Sequence, residues 1–143
     1  MTFIKALGYL GLGVSDLGEW EHFLINTIGV MASQSLTDQL DLRVDDYAWR
    51  IRLIRDPADD ILFAGWEVSN ADDLLALKER LLANEIVVHN GDDELKADRR
   101  VKELIWFEDP DGLRTEVFYG PLQLTQHPFV SPHGTTYNTG EQG

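Results

Sequence analysis

The sequence predicts an α+β fold in which two βαβββ modules, about 1–56 and 57–120, form one curved, partly closed mixed sheet with helices outside. Two observations predict it. Each half reads as a strand, a helix, then two or three strands, a unit that cannot cover its own sheet and therefore packs with a second. The pattern also restarts: at a spacing of 54, Gly11-Leu12-Gly13-Val14-Ser15-Asp16 aligns with Gly65-Trp66-Glu67-Val68-Ser69-Asn70.

The first strand spans Ile4 to Val14, apolar on both faces, with Gly8, Gly11 and Gly13 permitting close approach. Asp16 with Glu19 three residues on reads as a capped helix start, and Leu17, Trp20, Phe23, Leu24 and Ile28 recur at helical spacing until Gly29. Alternation then marks strands, Leu40, Leu42 and Val44 against Asp41, Arg43 and Asp45, followed by Trp49, Ile51 and Leu53 against Arg50 and Arg52. Asp56-Pro57-Ala58-Asp59-Asp60 breaks the pattern. In the second half Ile61 to Val68 is a strand. Asn70 and Asp73 open a helix whose stripe is Leu74, Leu75, Leu77, Leu81 and Leu82. Ile86-Val87-Val88 reads as a short strand, residues 89–100 as a charged, solvated connection, and Val101 to Phe107 with Leu113 to Tyr119 as a hairpin. From Pro121 the composition turns to Pro, Gly, Ser, Thr, Asn and His without a period. Residues 121–143 therefore read as a linker or disordered tail, and the natural protein is expected to continue past them.

Composition excludes several classes of function. The chain of 143 residues has no cysteine, so disulfides, thiolate metal sites and a Cys nucleophile are excluded. A formal charge of −13 argues against nucleic acid and against docking on anionic membranes. No apolar run is long enough to span a bilayer, and the start lacks the pattern of a signal peptide, so the expected location is cytoplasmic.

The stretch Trp106-Phe107-Glu108-Asp109-Pro110-Asp111-Gly112-Leu113-Arg114-Thr115-Glu116-Val117-Phe118-Tyr119-Gly120 carries the most chemistry. A strand runs into a tight turn, and the returning strand places one acid, Glu116, among apolar residues. Such a carboxylate can bind a metal inside a sheet if it has partners.

These features together resemble the vicinal-oxygen-chelate superfamily, and within it the N-terminal domain of type I extradiol ring-cleavage dioxygenases. The residues that carry the resemblance are Ile4-Lys5-Ala6-Leu7-Gly8-Tyr9-Leu10-Gly11, Ala48-Trp49-Arg50-Ile51, Phe63-Ala64-Gly65-Trp66-Glu67-Val68, Asp109-Pro110-Asp111-Gly112-Leu113 with Glu116 and Tyr119-Gly120, Pro128-Phe129, and Thr139-Gly140-Glu141-Gln142-Gly143. The resemblance implies a non-catalytic domain. It also implies a following catalytic domain that binds Fe(II), occasionally Mn(II), through two His and one Glu, as partner to this one. The parent reaction would be O2-dependent cleavage of 2,3-dihydroxybiphenyl-like diols.

By analogy with catalytic modules, the ligand positions of this chain fall at Tyr9, Phe63 and Glu116. Two imidazoles and a carboxylate are what such iron needs, and Tyr and Phe supply neither imidazole. No metal or cofactor is therefore expected in this chain. Glu116 is expected to be partly buried and hydrogen-bonded, to Tyr9 or to an arginine among Arg50, Arg52 and Arg114, which would hold it ionised.

The histidines add little: His22 shares a helix face with Glu19, His89 opens a polar loop, and His127 and His133 lie in the tail. Trp20, Trp49, Trp66 and Trp106 sit on apolar faces and read as core. Two other functions compete with the enzyme-derived scaffold. One is a stand-alone dimeric module of the bleomycin-resistance or glyoxalase kind, holding a small aromatic in the sheet. The other is an interaction domain in a homo-oligomer, through an exposed apolar edge or face.

Overall fold

The computed structural model of the chain describes residues 3–130. The strands are β1 (Ile4–Val14), β2 (Met31–Leu36), β3 (Gln39–Arg43), β4 (Ile51–Arg55), β5 (Ile61–Val68), β6 (His89–Asn90), β7 (Glu103–Glu108) and β8 (Arg114–Tyr119). They belong to one mixed sheet of order β2-β3-β4-β1-β5-β8-β7-β6, which ends on β2 and on β6. The hydrogen-bonding order is thus open, where partial closure was expected. The helices are α1 (Leu17–Glu21), α2 (Ala71–Ala83) and α3 (Asp93–Arg99). The chain divides into two compact units. One holds Leu10–Ile61 and continues from Gln123, and the other holds β1 up to Tyr9 together with Leu62–Leu122.

In the first of these units β4 lies parallel to β1, with Gly11 opposite Arg52, and antiparallel to β3, with Asp41 opposite Arg52. The Asp16 side chain caps α1 by accepting from the Glu19 N–H at 2.9 Å. Past Glu21 the helix widens into π-helical turns over His22–Ile28, and the Gly29 and Val30 N–H groups both donate to the Leu24 carbonyl. Gly29 ends it with φ 94°. The wider turn breaks the 3.6-residue spacing. Leu17 and Leu24 are buried as expected, but Trp20, Phe23 and Ile28 are exposed, and Ile25 packs on the core instead. That core joins Val14, Val30, Leu40, Leu42 and Leu53 to the helix. Each fully buried Leu or Val there contributes about 1.5–3 kcal/mol. β2 is a strand where the sequence shows little alternation, and its register shifts between Ala32 and Gln34.

In the second unit β8 lies parallel to β5, with Gly65 opposite Glu116, and antiparallel to β7, with Trp106 opposite Glu116. Asn70 caps α2 by accepting from the Asp73 N–H at 2.9 Å. Of the five stripe leucines, Leu74, Leu77 and Leu81 pack on Val68, Ile105 and Val117, while Leu75 and Leu82 are exposed. Residues 74, 77 and 81 share one helix face; 75 and 82 flank it. The expected strand at Ile86–Val88 is displaced to His89–Asn90, which pairs with Trp106 and Ile105. The expected connection over 89–100 instead contains α3, capped by Asp92, whose side chain accepts from the Leu95 N–H at 2.8 Å. The hairpin turn is tied by Asp109, which accepts from the N–H groups of Asp111 and Leu113, and Gly112 supplies φ 85°.

The segment after Gly120 is seated rather than featureless over its first residues. The Leu122 N–H donates to the Arg100 carbonyl at 2.9 Å. The Leu124 N–H donates to the Asp46 carbonyl, and the buried Arg43 guanidinium donates to the carbonyls of Asp45 and His127. The rest of the tail, with His133 and Thr139 to Gly143, lies outside the described residues.

Candidate functional site

One face of β5, β7 and β8 turns Ala64, Trp66, Ile105, Phe107 and Val117 toward α2. Register puts Phe63, Gly65, Trp106, Arg114, Glu116 and Phe118 on the other face. Tyr9 joins them. Its ring stacks on Phe118 at 4.9 Å and meets Phe63 edge-on at 6.0 Å. It lies so close to Gly65 that a Cβ there would come within 2.2 Å of Tyr9 Cε2. Glycine at 65 is what admits the ring.

Glu116 is fully buried and accepts four hydrogen bonds. Arg99 grips it side-on, with Nε on Oε1 at 2.8 Å and Nη2 on Oε2 at 3.0 Å. Arg114 Nε donates to Oε2 at 2.9 Å, and the Tyr9 hydroxyl donates to Oε1. A carboxylate has about four lone-pair sites, so these donors engage all of them. The Arg99 guanidinium carbon also stands 4.1 Å from the Phe63 ring centroid, and its Nη1 donates to Asp98 at 2.5 Å. Arg114 lies over Trp106 at 4.0 Å, with His89 stacked on that ring at 4.0 Å.

Electrostatics follow from this packing. Burial pushes the Glu116 carboxyl up, but hydrogen bonds and charge from Arg99, with Tyr9 and Arg114, outweigh burial and hold it below the usual carboxylate range. Burial, then the negative charge of Glu116, pushes the Tyr9 phenol well above its ordinary value, so it stays a neutral donor. Against the loss of hydration on burial, Glu116 keeps Arg99 firmly protonated. The two cations, Arg99 and Arg114, are offset by Glu116 and by Asp98, which pairs with Arg99 Nη1.

The three positions predicted from the sequence are thus brought together. Tyr9 and Arg114 bond to Glu116 as expected, whereas Arg50 pairs with Asp45 and Arg52 with Asp41 in the other unit. Arg99, the dominant partner, sits in the stretch read as a solvated loop. The Asp92 cap, the acidic first turn and the basic last turn signal its helix; nothing in the sequence points its side chain inward. Of the tryptophans, Trp49 is buried as expected, but Trp20 and Trp66 are more than one-third exposed. His22 is exposed and bonds Asn26 at 2.8 Å. Among the described residues no group of three or more His, Cys, Asp or Glu stands ready for a metal, and no helix is long and apolar enough to cross a membrane. An apolar hollow of about 340 Å³ lies beside α2, lined by Ile4, Trp66, Leu77, Phe107, Thr115 and Val117.

Comparison with known proteins places these observations. A family model described as dihydroxybiphenyl dioxygenase BphC D1 matches residues 7–55. A 3-methylcatechol 2,3-dioxygenase of Pseudomonas putida is 41% identical over 141 residues, covering 98% of this chain and 48% of that protein. A biphenyl-2,3-diol 1,2-dioxygenase of a Pseudomonas species is 38% identical with the same coverage. An iron-dependent extradiol dioxygenase of Rhodococcus jostii is 36% identical, over 98% of this chain and 47% of the relative. A crystal structure of catechol 2,3-dioxygenase superposes with a TM-score of 0.89 at 35% identity, over 99% of this chain and 51% of that one. The chain spans about half the length of the curated relatives it matches.

Proposed function

We propose that this chain, which matches extradiol dioxygenases over about half of their length, is an N-terminal domain of such an enzyme and serves as its non-catalytic scaffold. The catalytic half would follow it and carry the iron, occasionally manganese. The full protein would open aromatic diols of the 2,3-dihydroxybiphenyl kind with O2, in the cytoplasm, as a homo-oligomer and without nucleic acid or membrane partners.

The observation that carries this reading is the coordination of Glu116. Iron(II) of this type needs lone pairs from imidazole and carboxylate on one face. Phe63 offers none, the Tyr9 hydroxyl is committed as a donor to Glu116, and the Glu116 oxygens are engaged by two guanidinium groups and the phenol. A divalent cation at this point would also meet the repulsion of Arg99 and Arg114. The residues present do not fit the metal, and no chemical step is assigned to them. Glu116, Tyr9 and Phe63 bear on packing.

A second reading, a module that holds a small aromatic, draws support from the apolar hollow beside α2, whose volume is at the lower end for a small-molecule site. Anaerobic loading of the purified chain with Fe(II), followed by exposure to a catechol and O2, separates enzyme from scaffold. The expected outcome is no stoichiometric iron and no yellow ring-fission product. Turnover with bound iron would make this chain an enzyme in its own right.

A further inference from the structure

We infer that the Glu116 position has become a guanidinium-binding clamp whose ligand is tethered, with α3 delivering Arg99 as its resident planar cation. The inference deepens, and rests on, the reading of Glu116 as a filled, metal-free position.

Guanidinium recognition has three requirements, and the cluster meets each. The first is a carboxylate fork that takes two parallel N–H groups, which Glu116 provides to Nε and Nη2 at 2.8 and 3.0 Å. The second is an aromatic face for the weakly hydrated plane of the ion, provided by Phe63 at 4.1 Å. The third is exclusion of water, and Glu116 is fully buried while Arg99 is nearly so. The Tyr9 hydroxyl bonds the same carboxylate and fixes its orientation. A compact ammonium would use one oxygen of the fork and leave the other short of a partner.

The first module supplies an independent parallel. The repeat aligns Gly11 with Gly65; the parallel partner of Gly11 is Arg52, and that of Gly65 is Glu116. The matching inner position is therefore Arg52, and it too carries an internal pair. Its Nε and Nη2 bond Asp41 at 2.7 and 2.9 Å, and its guanidinium lies over Trp49 at 4.5 Å. Carboxylate fork, guanidinium and aromatic face recur at the equivalent register with their polarity reversed. Only the second module needs a helix to deliver its cation: β2 and β3 are joined by Thr37-Asp38, whereas α3 stands between β6 and β7.

Chemical rescue tests the clamp. Arg99→Ala is expected to lower Tm by on the order of 10 °C. Methylguanidinium chloride, at a concentration that leaves the wild type unchanged, is expected to restore most of that loss, whereas equal NaCl or tetramethylammonium chloride restores none. The double variant Arg99→Ala/Glu116→Gln is expected not to respond. Should Arg99→Ala not fold alone, the same contrast is read as recovery of tryptophan fluorescence on refolding into methylguanidinium. Rescue no better than NaCl, or equal rescue of the double variant, overturns the clamp while leaving the scaffold reading intact. Stoichiometric Fe(II) on the wild-type chain overturns that underlying reading instead.

Discussion

Glu116→Gln is expected to cost about 3 kcal/mol of stability at neutral pH and almost none in strong acid. At neutral pH the substitution leaves buried Arg99 with only the half-exposed Asp98 to offset its charge, and Arg114 loses its anion; because the Arg114 side chain is 31% exposed, it can turn to water. The pH dependence follows from the lowered carboxyl. A carboxylate whose folded pKa lies below its unfolded value adds stability that is fully present above the unfolded value, here about 4.5. That contribution is lost as pH falls through the folded value. Urea midpoints of wild type and variant should therefore differ widely at pH 7, and the gap should close as pH drops below about 4.5, the unfolded value. A gap that persists unchanged into strong acid would mean that Glu116 acts through shape rather than charge.

Asp41→Asn is the second large effect, expected to destabilise by about 3–5 kcal/mol. Asp41 and Arg52 are directly opposed on β3 and β4, with side chains 0% and 2% exposed, and neither can reach water without disturbing the sheet. Neutralising Asp41 removes the carboxylate fork from a buried guanidinium that lies over Trp49. Replacing both, as Asp41→Leu/Arg52→Met, should recover much of the loss, since a buried pair gains little over apolar residues of similar volume. Denaturant midpoints of the two variants check this. Equal losses in both would show that the pair contributes more than mutual neutralisation.

Much of this fold is legible because periodicity and capping are local. β1, β5 and the hairpin follow from apolar runs bounded by turns, and both principal helix starts from Asp16 with Glu19 and Asn70 with Asp73, signals that act within a few residues. The misreadings share a cause: tertiary context decides them. The π-helical turns after Glu21 carry Phe23 and Ile28 off the buried stripe that their spacing suits. Asp41 and Arg52 read as polar positions of alternating strands, yet both are buried because each finds the other. Arg99 is the sharpest case. One charge in a charged run looks solvated, and only the distant Glu116 draws it inward across 17 residues of sequence. Tyr9, Phe63 and Glu116 follow from the resemblance to catalytic modules; their closing partner does not.

The central claim is that the chain's own cations, not a metal, occupy Glu116. It is tested most directly by following the Glu116 side-chain carboxyl carbon by NMR through a pH titration, with and without one equivalent of Mn(II). The carboxyl is expected to titrate below the usual carboxylate range, with no paramagnetic broadening at this carbon. Ordinary titration, or broadening at stoichiometric Mn(II), would contradict the claim.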